Sequence, residues 1–297
     1  MSRTPHQGGA RGFLALLRLT RFPNALTTIA DLAAGVAVGI AAGGRAPSFG
    51  DAVLQSIGLV TLYMFGMGLN DWVDRAKDAR LHPTRPLPSG DLGENAALAT
   101  VIGTLGFGLA VGLSLGGASA ATTVGLVLAI LAYDLAARGH GPWGALAMGS
   151  CRALAMGLGV TLAGAPASLD ALAPPLAYGA AVAALTWVSL WEDRRPSAGE
   201  RRVGLAVFAT AWIATVATSP RFGFAALAVA LLVVLVTAPA RRHPPIWGLV
   251  VRNAVFALPL LDAVVAAAHE DLGRAGLAVI AFIAARLAAR TIGRRGS

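Results

Sequence analysis

Charge is scarce in this sequence. Of its 297 residues only 13% are Asp, Glu, Lys or Arg, about half of what a water-soluble chain carries, so most of its surface must face something other than water. Cysteine is all but missing: Cys151 stands alone and cannot pair within the chain, which excludes a small disulfide-stapled scaffold. The low hydrophobicity that marks disorder is missing too, because 56% of residues are hydrophobic and mean hydropathy is +0.67. What is left is a polytopic membrane protein, provided the apolar residues form runs that cross about 30 Å of hydrocarbon.

They do so repeatedly. Ten apolar runs cover residues 24–42, 52–70, 95–115, 118–137, 144–164, 172–191, 203–219, 222–238, 247–268 and 275–291, each near the length a spanning helix needs. The runs are continuous and rich in Ala, Leu and Gly, unlike the short alternating strands of a membrane barrel, so the fold class is all-α. The run at 247–268 contains Arg252, Asn253, Pro259 and Asp262, and is expected either to lie shallowly or to pack deep in the bundle. Gly35 and Gly39, and Gly108, Gly112 and Gly116, recur every fourth residue, as close helix packing or a merely Gly-rich composition would produce.

The net charge of +9 is distributed in a way that argues for a membrane and against nucleic acid. Basic residues occupy alternate connections. Arg3, Arg11, Arg18 and Arg21 precede the first run, and Arg75, Lys77, Arg80 and Arg85 follow the second. Arg138 follows the fourth, Arg194, Arg195, Arg201 and Arg202 the sixth, Arg241 and Arg242 the eighth, and Arg290, Arg294 and Arg295 close the chain. The positive-inside rule then places both termini and these connections in the cytoplasm.

Two of those connections, 71–94 and 192–202, also concentrate carboxylates: Asp71, Asp74, Asp78, Asp91 and Glu94 in one, Glu192, Asp193 and Glu200 in the other. If the second span continues as a helix past Asn70, Asp71, Asp74 and Asp78 fall at i, i+3 and i+7, within about 60° on one face. Three such carboxylates repel unless a cation lies between them. Mg²⁺, which binds one or two carboxylates plus substrate phosphate oxygens, suits that place; a solvated helix end pairing with Arg75, Lys77 and Arg80 is the plain alternative. Asn70 adds an orienting amide, and Arg85, set among prolines, a guanidinium fit for bidentate phosphate binding.

Asn70-Asp71-x-x-Asp74-x-x-x-Asp78 followed by Arg85-Pro86-Leu87-Pro88-Ser89-Gly90 resembles the first aspartate-rich motif of the UbiA superfamily of intramembrane prenyltransferases. More weakly, the opening run is similar to the family's first helix, Tyr133 and Arg138 fall near a tyrosine and a basic residue of the family, and Arg152 lies in a similar helix start. The resemblance covers residues 14–291, between a cytoplasmic tail at 1–13 and a short tail at 292–297. It implies a bundle of nine or ten transmembrane helices around a lipid-lined cavity, with a cytoplasmic mouth where Mg²⁺ held by two acidic motifs grips a prenyl diphosphate. The second motif departs from the family's Asp-x-x-x-Asp pattern, because Pro196 occupies the i+4 position after Glu192.

The resemblance therefore implies Mg²⁺-dependent prenyl transfer to an aromatic compound, quinone precursor or polar alcohol. Asn70, Asp71, Asp74 and Asp78 would be catalytic, and Asp71, Asp74, Asp78, Glu192 and Asp193 would ligate metal. Lys77, Arg85, Tyr133, Arg138 and Arg152 would contact the donor. A transporter or lipid-binding protein, or a UbiA-type terpene cyclase, is the alternative. Asp31 and Asp262 lie inside apolar runs, where ionisable groups are costly, and are read as functional, as partners of Arg252, or as protonated. Trp187 and Trp191 read as an interfacial belt or as cation-stabilising rings, and Cys151 as packing.

Overall fold

A computed structural model describes residues 5–137, 141–192, 196–241 and 246–294; Arg138, Asp193, Arg194, Arg195, Arg242 and Arg295 lie outside them. Every element among the described residues is helical. An amphipathic α1 (Pro5–Leu19) leads through a single turn, α2 (Phe22–Ala25), into α3 (Thr28–Ala41). Then come α4 (Phe49–Val73), a short α5 (Arg75–Leu81), α6 (Glu94–Ser114), α7 (Gly117–Ala132), α8 (Pro142–Leu162) and α9 (Leu169–Ser189). The chain closes with α10 (Ala198–Ala214), α11 (Phe222–Thr237), α12 (Trp247–Ala268) and α13 (Leu272–Arg294).

Nine of these stretches are long and apolar enough to cross a membrane, counted among the described residues. α10, with 17 residues, spans about 25 Å and makes a tenth leg. Contacts at the two ends of the bundle fix this. At one end the Trp191 and Trp247 rings meet edge to face at 4.8 Å. At the other, Arg221 pairs with Glu270 at 3.3 Å. The chain between Trp191 and Arg221 therefore traverses the bundle on α10, and the chain from Arg221 to Trp247 returns on α11. α10 opens with a capping box, in which the Ser197 hydroxyl accepts from the Glu200 amide at 3.2 Å and the Glu200 carboxylate accepts from the Ser197 amide at 2.8 Å.

α3 is buried along most of its length and packs on α8 through glycines. A Cβ on Gly35 would lie 1.9 Å from the Met156 carbonyl oxygen, and one on Gly159 2.3 Å from that of Leu32. Gly149 and Gly179 bring α8 and α9 together similarly. In a bilayer, where lipid tails offer no hydrophobic drive between helices, this backbone approach supplies the dispersion contact that holds the bundle. Gly35, Gly39, Gly108 and Gly112 are therefore packing positions, whereas Gly116 sits in a turn at φ 66° with open space around it.

α12 lies deep, with Val250, Ala254, Leu258, Leu261, Asp262 and Val265 all buried and Arg252 exposed. Arg252 is thus not the partner of Asp31; that partner is Arg152 of α8, 2.5 Å away. Trp191 is no belt residue either. It is 1% exposed, wedged between Trp247 and the Gly204 face of α10, where a Cβ would meet its ring at 2.3 Å.

Candidate active site

The acidic face anticipated on one continuous helix is divided. α4 ends at Val73, Asp74 sits at the junction with φ −82° and ψ 0°, and α5 starts at Arg75. Asp71 on the last turn of α4 and Asp78 on α5 are both buried and converge on one atom. Nη1 of Arg85 lies 3.4 Å from Asp71 Oδ1 and 2.5 Å from Asp78 Oδ2. Arg85 reaches them from the loop after α5, which is braced by its own hydrogen bonds, among them Ser89 N to the Arg85 carbonyl and Leu92 N to that of Pro86.

Arg21, not singled out by the sequence, contributes a second guanidinium to Asp71 at 3.4 Å. It adopts a left-handed backbone, φ 46° and ψ 43°, a conformation costing an L-residue roughly 1–2 kcal/mol, at the corner where the chain turns from α1 into α2. Arg18 adds a bond to the Thr84 carbonyl and an ion pair with Asp91. With Asn24, Asp71, Thr84 and Pro86, and with Ala289 and Ile292 of α13, these arginines border an open recess of about 850 Å³ at this end of the bundle. Asp71 is the carboxylate on the recess wall beside these three arginines, while Asp78 and Asp91 pair with Arg85 and Arg18, so guanidiniums and carboxylates meet at one place, the composition of a site for an anion together with a cation.

A second, more enclosed cavity lies further in, with about 500 Å³ of empty space and walls that are mostly apolar: Leu59, Leu62, Met67, Leu126, Ile130 and Ala155. Its polar groups are few: Thr28, Tyr63, Tyr133, Asp134, Cys151 and Arg152. Asn70, next to Asp71 on α4, donates to Asp134 Oδ1 on the inner cavity wall at 3.1 Å. Asp134 belongs to a π-helical turn, Tyr133–Ala137, that widens the end of α7 and swings Tyr133 and Asp134 onto the cavity wall. Arg152 stands over the Tyr63 ring at 5.5 Å. Tyr63 precedes Asp71 on α4 by about 12 Å of helix rise, which sets Arg152 well inside the mouth.

Behind Arg152 a buried chain of polar groups crosses four helices. Arg152 donates to Asp31 Oδ2 at 2.5 Å, Tyr178 of α9 donates to Asp31 Oδ1 at 2.8 Å, and Asp262 Oδ2 of α12 lies 3.3 Å from the Tyr178 hydroxyl.

Residues 32–284 match the model of the UbiA prenyltransferase family. The chain belongs to this family. It is an integral, multi-pass member of a family of prenyltransferases. A curated relative, digeranylgeranylglyceryl phosphate synthase of Methanoregula boonei, is 39% identical over 103 residues, a match spanning 35% of this chain and 34% of that protein's length. Among solved structures, a UbiA homologue from Archaeoglobus fulgidus bound to GPP and Mg²⁺ has a TM-score of 0.66 at 18% identity, covering 87% of this chain and 99% of that one. The apo UbiA homologue of Aeropyrum pernix K1 gives 0.57 at 21% identity, over 79% of this chain and 97% of its own. These structural likenesses establish the fold.

Within this UbiA fold, Asp71 and Arg85 border the outer recess, Asp78 meets Arg85, Asn70 meets Asp134, Asp74 sits at the α4–α5 junction, and Tyr133 and Arg152 line the inner cavity. Lys77 is exposed on α5, and Glu192 is exposed just past α9 with its carboxylate 3.9 Å from the Cβ position of Gly248. No group of three or more His, Cys, Asp or Glu able to hold a metal occurs among the described residues. Two carboxylates converging on a single cationic nitrogen do fit Mg²⁺, which takes one or two carboxylates when substrate phosphates complete its shell. Sequence reasoning missed Arg21, Asp134 and Tyr178. An acidic residue at the very end of a span was the available signal for Asp134; for Tyr178 there was none.

Proposed function

We propose that this protein transfers the prenyl group of a prenyl diphosphate to a polar acceptor inside the membrane, and that it does so with Mg²⁺. The observation that carries this reading is the convergence of Asp71 and Asp78 on one cationic nitrogen beside an arginine-rich recess that borders an apolar cavity. Mg²⁺ held by Asp71, Asp74 and Asp78, and by Glu192 and Asp193 of the second acidic segment, would neutralise the charge that develops on diphosphate as the allylic C–O bond breaks. Glu200 has no part in that set, because its carboxylate is committed to the capping box of α10.

The chain's own residues do the rest. Arg85 and Arg21, with Lys77 and Arg138, bind the diphosphate as point and bidentate donors. Asn70 and Asp134 hold each other at the inner cavity wall and keep the reacting end aligned. The apolar walls around Leu62, Leu126 and Ile130 take the prenyl chain and exclude water that would otherwise quench an allylic cation. Tyr133 faces that path, and Arg152, deeper on the wall, is placed to meet a polar group of the substrates. The resemblance to a digeranylgeranylglyceryl phosphate synthase favours a polar alcohol as acceptor, and the charge asymmetry puts the mouth on the cytoplasmic side. Incubating membranes that carry the protein with labelled prenyl diphosphates, Mg²⁺ and a panel of alcohol, aromatic and quinone-precursor acceptors tests the reading. Donor-dependent labelling of one acceptor class is expected. No transfer to any of them refutes it.

A further inference from the structure

The polar chain behind Arg152 has a charge count that the surrounding bundle cannot leave open. It contains one cation, Arg152, and two carboxyl groups, Asp31 and Asp262, all buried at about mid-depth on different helices. With both carboxyls ionised the cluster would hold a net negative charge away from water, a costly state. The hydrogen-bond geometry points the same way. Tyr178 has a single hydroxyl proton, and the shorter of its two contacts, 2.8 Å to Asp31, claims it. The 3.3 Å contact between the Tyr178 oxygen and Asp262 Oδ2 then has no proton unless Asp262 supplies one. Asp262 and Asp31 meet the same Tyr178 hydroxyl, where two bare carboxylates would repel. Its remaining oxygen, Oδ1, finds no donor among the described residues, a condition that a neutral carboxyl tolerates far better than an ion.

We propose that Asp262 is a protonated carboxylic acid which, with Tyr178, fixes Asp31 as the ionised counter-group that holds the Arg152 guanidinium in place against the cavity wall. Asp31 and Tyr178 are positioning residues acting through Arg152. This inference rests on the prenyl-transfer reading for its kinetic consequence and not for its protonation state. The proton is assigned to Asp262 because Asp31 alone receives both the guanidinium and the tyrosine hydroxyl. The other charged or titratable groups nearby are Tyr63 of α4, whose ring lies under Arg152, Cys151 beside it on α8, Tyr133 and Asp134 on the same cavity wall, and Arg286 of α13, which covers the Phe256 ring a turn and more along α12. The assembly is neutral overall. Arg152 therefore presents donors to the cavity without adding a net positive field that would oppose a developing allylic cation.

Two measurements test this on the full-length protein in lipid nanodiscs. Infrared difference spectroscopy of wild type against Asp262→Asn reads the carbonyl stretch of a protonated carboxylic acid without any turnover. The band is expected in wild type at neutral pH and lost in Asp262→Asn. It is also expected to be lost in Asp31→Asn, where Asp262 must ionise to balance Arg152. A wild-type protein without the band, or a band that survives Asp262→Asn, overturns the assignment. Kinetics supply the positioning readout. Tyr178→Phe removes one hydrogen bond to Asp31 and should raise the acceptor KM about fivefold with the donor KM unchanged. Asp31→Asn should raise it further, and Asp31→Glu should recover part of the loss. Equal shifts for donor and acceptor, or none, would show that the chain is only structural. If Asp31→Asn fails to fold, Tyr178→Phe still decides. If wild type transfers nothing, the function reading falls while the infrared result stands.

Discussion

Replacing Gly35 with Ala should uncouple the helix packing from the site it supports. A Cβ at Gly35 lies 1.9 Å from the Met156 carbonyl oxygen and 3.1 Å from Gly159 Cα. A carbon and a carbonyl oxygen approach no closer than about 3.3 Å, so α3 and α8 must separate locally by about 1.4 Å. Overpacking of this kind costs roughly 1–3 kcal/mol, which for a chain of this size lowers Tm by roughly 2–10 °C. The second effect is more specific. Asp31 is one turn before Gly35, and its 2.5 Å contact with Arg152 spans the same interface. Taken along the contact, the separation stretches that pair to about 4 Å, the edge of an ion pair, and frees Arg152 to move. A melting assay on nanodisc-embedded protein, run beside transfer kinetics, reads both effects. The control is Gly106→Ala, at a helical glycine with nothing within 4 Å of its Cβ position, which should gain up to about 1 kcal/mol from helix propensity. A Gly35→Ala protein that melts with wild type and keeps its acceptor KM would refute the reasoning.

Three further outcomes are expected. Asp71→Asn and Asp74→Asn should each reduce turnover by about two orders of magnitude or more while the protein still inserts and purifies as a single species, because the loss falls on leaving-group stabilisation; near-normal transfer by both would remove the metal assignment. Ser197→Ala should lower stability by about 1 kcal/mol through loss of the α10 cap and leave the Mg²⁺ dependence of turnover unchanged, whereas an altered Mg²⁺ requirement would return Glu200 to the metal set. A compartment-sensitive reporter fused after Ser297 should signal from the cytoplasm, and an external signal would mean an odd number of crossings.

The spans were legible because a bilayer demands long apolar runs, and each of the ten runs meets a helix or helical leg in the fold. The acidic motif was legible for a related reason: Asp71 and Asp78 are close in sequence, so local helix geometry nearly suffices to bring them together. Contacts across helices were not legible. Asp31 and Asp262 stood out by the cost of a charge in an apolar run, yet Arg252, on the same helix as Asp262, drew the pairing away from Arg152, which is 121 residues from Asp31 in the chain. Helical periodicity shows which side of a helix is polar and says nothing about which neighbour that side meets. Arg21 was hidden in the same way, since only the left-handed corner before α2 turns it toward Asp71.

The recess that receives the charged groups is bordered by residues from both extremes of the chain, Leu17, Arg18 and Arg21 beside Ala289 and Ile292. During synthesis the first of these emerges long before the last. Until α13 docks, Arg21, Arg85 and Asp71 lack the wall that Ala289 and Ile292 supply. The final helix is thus a closing piece for the earliest-made part of the site, and a ribosome-bound chain missing it would have the whole acidic motif and no finished mouth. Shortening α13 from its end should therefore abolish activity well before it removes the helix from the membrane.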